Sequence, residues 1–138
     1  MELETGRMLY ELLLVVHLLS FVGWAGLTTG AYMVVREVAR GDLPHSYRRL
    51  AHVQAGFAGL LFLSGLSMAV VVYGFPKSPL WIHYALGVAL IAGIIEAIHV
   101  RAARRYDADR YHKFLRALIP MWVAIVAVML WLMVWKPF

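Results

Sequence analysis

The chain of 138 residues contains no cysteine and few charged residues for its length. The absence of cysteine excludes disulfides, thiolate metal sites and cysteine nucleophiles, but it says nothing about the compartment. Charged residues make up 15% of the chain and hydrophobic residues 62%, whereas a soluble domain is about a quarter charged and nearer half apolar. The composition therefore argues against an ordinary soluble domain and indicates an integral membrane protein.

Four apolar stretches are long enough to cross a bilayer, since one helical span needs about 20 residues. They run from about Met8 to Val35, Leu50 to Tyr73, Leu80 to Val100 and Phe114 to Trp135. Only short links remain between them, which favours neighbouring helices that run in opposite directions. The sequence thus predicts an all-α integral membrane protein, an antiparallel up-down four-helix transmembrane bundle that forms one domain over residues 1–138. Membrane lipid is its first expected partner.

The lysines and arginines, thirteen in all, are shared unevenly between the two sides of this bundle. The links after spans one and three hold most of them, namely Arg36, Arg40, Arg48, Arg49, Arg101, Arg104, Arg105, Arg110, Lys113 and Arg116. The opposite side holds Arg7, Lys77 and Lys136. Because cytoplasmic loops carry the excess of cations, we expect a multi-pass protein of the cell (plasma) membrane with both termini outside the cytoplasm. The net charge of +5 is then loop charge, and we expect no nucleic-acid partner.

One imidazole, that of His17, lies within the apolar run from Val15 to Leu27. Ser20 and Trp24 follow it at close to one and two helical turns, so the three side chains share one face. Polar side chains inside a membrane span usually have a function. We therefore favour His17 as a ligand over the alternative, a buried histidine that is hydrogen-bonded to a serine or a carbonyl.

A second group of ionisable residues lies near the predicted cytoplasmic side. His52 opens span two, Glu96 and His99 stand one turn apart at the end of span three, and His112 precedes span four. This group permits a haem held by ligands from two helices, a compact metal site, or packing without any cofactor. A di-iron centre is disfavoured, because such bundles use two Glu-x-x-His motifs and this chain has one. No catalytic residue can be assigned.

Two stretches carry a family resemblance. His17 is followed, after six residues, by Trp24 to Leu27, which reads WAGL; Arg116 to Pro120 is followed by an apolar run and then by Val134 to Phe138, which reads VWKPF. In order and spacing these stretches resemble the membrane protoporphyrinogen IX oxidases of the HemJ type, and the likeness covers nearly the whole chain. A looser likeness is to the copper-resistance D membrane domains.

The resemblance implies haem b in the bundle, with His17 as an axial ligand beside Ser20 and Trp24. It also implies oxidation of a porphyrin in haem biosynthesis, or membrane electron transfer, with quinone or porphyrin as the small-molecule partner. Ala85 stands where the family has a lysine that matters for function, which argues against oxidase activity. We hypothesise that His99 or His83 supplies the second axial ligand in place of that lysine.

The alternative is a membrane protein without oxidase activity that binds or transports haem or a metal ion such as copper or zinc. The candidate metal ligands are His17, His99, His52, Glu96 and His112, and the inner group could hold a second haem or a metal ion. Glycines on the helix faces are compatible with a homodimer.

Overall fold

The computed structural model describes residues 1–38 and 40–137, and these residues form helices without strands. The four helices are α1 (Glu2–Val35), α2 (His45–Val71), α3 (Leu80–Arg105) and α4 (Ala108–Trp135). Each is long and apolar enough to cross a membrane, as predicted. Each predicted span lies within one helix, except that Val72 and Tyr73 follow the end of α2. Phe138, the last residue of the family-like C-terminal stretch, lies outside the described residues.

The helices begin where the local sequence favours a first turn. Pro44 precedes α2 and Pro79 precedes α3, and the fixed φ of proline suits the start of a helix. Asp107 caps α4, because its carboxylate accepts the backbone N–H of Arg110 at 2.8 Å. All four helices extend beyond the apolar spans into polar residues at one end, since hydropathy marks the apolar part of a helix rather than its full length.

Helices that are consecutive in the chain pack against one another, and each uses a narrow buried face. On α1 that face consists of His17, Ser20, Trp24, Ala31 and Val35. Several residues between them are apolar and exposed, with Leu19 at 64% and Val22 at 65%. Lipid tails are as apolar as leucine, so such outward faces are compatible with a membrane.

The two cation-rich links, which join α1 to α2 and α3 to α4, lie side by side. The backbone N–H of Ala108 donates to the Gly41 carbonyl at 2.9 Å, and Asp42 and Asp107 form an isolated bridge. His112 adds a bond to the same link, since its Nε2 lies 2.8 Å from the Val38 carbonyl. These contacts bring the start of α4 against the chain that follows α1.

Candidate functional site

A buried carboxylate, that of Glu96 on α3, gathers donors from two other helices. Glu96 is 3% exposed. The indole Nε1 of Trp24 on α1 donates to its Oε2 at 3.3 Å, and the amide Nε2 of Gln54 on α2 donates to its Oε1 at 3.2 Å. A buried carboxylate is tolerated only when it is hydrogen-bonded. Trp24 and Gln54 thus hold Glu96 in place between apolar helices.

The imidazole of His99 extends this network towards α4. Its Nδ1 lies 3.3 Å from Glu96 Oε1, and its Nε2 lies 2.5 Å from the hydroxyl oxygen of Tyr111. The Tyr111 hydroxyl is in turn hydrogen-bonded to the hydroxyl of Tyr47 at the start of α2. A continuous line of polar groups therefore runs from Glu96 through His99 and Tyr111 to Tyr47, and it involves three helices.

Aromatic contacts hold this line in position. Trp122 packs against the His99 ring in a T-shaped arrangement with 5.0 Å between the ring centroids. Tyr47 and Tyr111 meet edge to face at 5.4 Å. His99 and Tyr111 are 1% and 0% exposed, so their ring orientations are set by packing as well as by hydrogen bonds. We call Glu96, His99, Tyr111 and Tyr47, with the donors Trp24 and Gln54, the inner polar chain.

His17 lies in a separate polar site, against α2. Its Nδ1 is 2.9 Å from the Ser64 hydroxyl oxygen, and that hydroxyl donates its own hydrogen to the Leu61 carbonyl at 3.0 Å. With the serine hydrogen used in this way, Ser64 would accept from His17, an arrangement that corresponds to the neutral tautomer with its ring hydrogen on Nδ1. The Nε2 atom then keeps its lone pair, the arrangement in which a metal-binding histidine is oriented by a hydrogen bond from its other nitrogen.

Gly65 allows the His17 ring to lie close to α2. A Cβ atom at this position would stand 3.1 Å from His17 Cε1, which is tighter than ordinary contact. His17 itself is 8% exposed. The ring is therefore enclosed by α2 on one side and is fixed by Ser64.

The other predicted cofactor-binding residues lie in different places. Ser20 is buried and donates to the Val16 carbonyl of its own helix at 2.6 Å, while Trp24 belongs to the inner polar chain. His83 stays near the link before α3: its Nε2 is 3.1 Å from the Pro76 carbonyl and its Nδ1 is 3.3 Å from the Pro79 carbonyl.

Of the predicted inner ligand group, the structure brings together Glu96 and His99. His52 is exposed and directs its Nδ1 to the Arg48 carbonyl at 2.7 Å, and His112 is held by the Val38 carbonyl. Within residues 1–38 and 40–137, no three His, Asp or Glu side chains are placed to hold one metal ion.

Sequence reasoning did not single out Gln54, Tyr47, Tyr111 or Ser64. A usable signal was present for two of them, because Gln54 and Ser64 are polar residues inside an apolar span, the same property that drew attention to His17. Tyr47 and Tyr111 lie near predicted interfaces, where tyrosine is common, so nothing local distinguished them.

No family model, curated protein or solved structure matches the chain. The resemblance to the oxidase family stays a prediction.

Proposed function

We propose that the chain is a four-span bundle of the cell membrane, with antiparallel neighbouring helices and both termini outside the cytoplasm. The four apolar helices and their short links support this arrangement. The side-by-side packing of the two cation-rich links also supports it, because it places most of the lysines and arginines at one end. Cations in excess on one side favour the cytoplasmic face for that side.

Within this bundle, haem b is the proposed cofactor and His17 is its axial ligand. The observation that carries the proposal is the Ser64 hydrogen bond, which assigns the hydrogen of neutral His17 to Nδ1 and leaves the Nε2 lone pair for iron. The donor chemistry of His17 therefore fits a haem. A bound haem would supply one-electron transfer, with the protein providing ligation and an apolar surrounding.

His99 and His83, the two candidates for a second haem ligand, are less suited to ligation than His17. Both ring nitrogens of His99 face partners within the inner polar chain, and both of His83 face backbone carbonyls. Either residue would have to lose a hydrogen bond in order to bind iron. The geometry therefore favours His17 over His99 and His83 as the histidine that would hold the haem.

Electron transfer, with quinone as a small-molecule partner, is the function that these features support best. Ala85, where the oxidase family has a lysine, is 8% exposed and packs with Ala69, Trp81 and Leu132. An apolar contact thus replaces the basic side chain at this position. This substitution favours electron transfer over porphyrin oxidation.

The visible spectrum of the purified protein, before and after addition of hemin, tests the haem proposal. We expect a Soret band in the protein after hemin is added. His17→Ala should abolish haem binding, while His52→Ala should retain it, since His52 is exposed and bonds within α2. A protein that stays colourless with hemin, or a normal spectrum in folded His17→Ala, would contradict the proposal.

A further inference from the structure

The inner polar chain contains ionisable groups that haem ligation by His17 does not use. Glu96 is contacted by the ionisable ring of His99, and Tyr111 and Tyr47 follow in line. The other two partners of Glu96 are Trp24 and Gln54, which do not ionise. A buried carboxylate joined to two tyrosines through one histidine is an arrangement that can carry a proton.

The positions of the hydrogens follow from the donors. Trp24 and Gln54 donate to Glu96, so the carboxylate acts as an acceptor, and His99 Nδ1–H donates to it as well. Neutral His99 then has a lone pair on Nε2, which accepts the Tyr111 hydroxyl hydrogen. The Tyr111 oxygen accepts the hydroxyl hydrogen of Tyr47. Every hydrogen along the chain is directed towards Glu96.

We propose that Tyr47, Tyr111 and His99 form a proton-transfer path that delivers one proton from the side of the cation-rich links to Glu96. An incoming hydronium ion gives its proton to the Tyr47 oxygen and becomes water. The Tyr47 hydroxyl proton moves to the Tyr111 oxygen, the Tyr111 proton moves to His99 Nε2, and the Nδ1 proton moves to Glu96 Oε1. The carboxylate becomes a neutral carboxylic acid, and only O–H and N–H bonds are exchanged.

The hydrogen-bond geometry of the site is compatible with this uptake. The hydrogen bonds of the chain survive with reversed direction, because His99 Nε2–H now donates to Tyr111 and the Tyr111 hydroxyl donates to Tyr47.

The Tyr47 end of the path lies beside a groove in the molecule. Tyr47 lines a groove of about 500 Å³ together with Pro44 and Ser46, which stand at the start of α2, and Gly30 and Val34 of α1. This groove adjoins the link that follows α1. It therefore lies beside the Tyr47 end of the path.

Infrared spectroscopy after a rapid drop in pH tests the path in purified protein without added hemin. The carboxylic acid C=O band of Glu96 is identified by its loss in Glu96→Gln. We expect this band to rise in the wild type after the drop. In Tyr111→Phe it should rise at least about tenfold more slowly and reach the same amplitude, because one hydroxyl is missing from the path.

Tyr106→Phe is the matched control, since Tyr106 follows α3 and packs on Phe114 and the Arg110 guanidinium, outside the path. Its kinetics should equal those of the wild type. If Tyr111→Phe does not fold, Tyr47→Phe provides the same test one step further out. Wild-type kinetics in a folded tyrosine variant would overturn the proposal, as would a Glu96 band that is absent or that does not change with pH.

Discussion

Two histidines that look alike in the sequence have different chemistry because of single neighbouring hydroxyls. His17 and His99 both lie in apolar helical stretches and both are buried. Ser64 takes the Nδ1–H of His17 and leaves Nε2 unprotonated. Tyr111, by contrast, is bonded to His99 at Nε2. The first residue is therefore suited to a metal, and the second is suited to moving a proton.

The contribution of Ser64 to hemin affinity can be measured with a single substitution. In Ser64→Ala the His17 ring loses the group that orients it, and we expect hemin affinity to fall about 10- to 100-fold, as for other partners of metal ligands. Ser67→Ala is the matched control, because the Ser67 hydroxyl bonds to the Leu63 carbonyl of its own helix. Hemin titrations of both variants, followed in the Soret region, make the comparison. Equal affinities would show that Ser64 does not orient the ring.

At the scale of elements, the close approach of α1 and α2 depends on small residues at particular positions. A Cβ atom at Gly23 would stand 2.7 Å from Cδ1 of Phe57, whereas one at Gly26 would meet nothing within 4 Å. The two glycines lie three residues apart on the same helix, but their surroundings differ. Gly23 permits helix packing, and Gly26 faces the groove.

We therefore expect opposite results from two alanine substitutions on α1. Gly23→Ala forces the Phe57 ring to move and should lower the free energy of unfolding by about 1–3 kcal/mol, the usual cost of overpacking. Gly26→Ala adds a methyl group in open space and should be neutral or slightly stabilising, because alanine is the better helix former. Thermal unfolding in detergent, followed by circular dichroism, compares them. A Gly23→Ala protein as stable as the wild type would contradict this close packing of α1 on α2.

At the scale of the whole molecule, α1 links the two polar sites. Trp24, which donates to Glu96, lies two turns from His17 on the same buried face of α1, a rise of about 10 Å. A haem at His17 and a proton at Glu96 would therefore be close enough to influence each other electrostatically.

Much of the fold could be predicted from local sequence, but less of the site could. Helix type and number follow from apolar run length, and the proximity of Glu96 to His99 follows from one helical turn. Trp24 and Glu96, in contrast, lie on different helices, and no spacing in the sequence relates them. The separation of His52 and His112 from Glu96 could not be predicted from spacing either. His52 bonds to the Arg48 carbonyl of its own helix, and His112 bonds to the Val38 carbonyl of the link after α1.

Run length and composition are local properties, and they were enough to predict a helical chain that is apolar enough to cross a membrane four times. The apolar surroundings of His17 and of the pair Glu96 and His99 in the sequence also marked these residues as buried polar groups. The partners of these groups, in contrast, depend on the tertiary structure. The rotation of each helix about its axis is set by packing against the others, and that rotation places Ser64 on His17 and Tyr111 on His99.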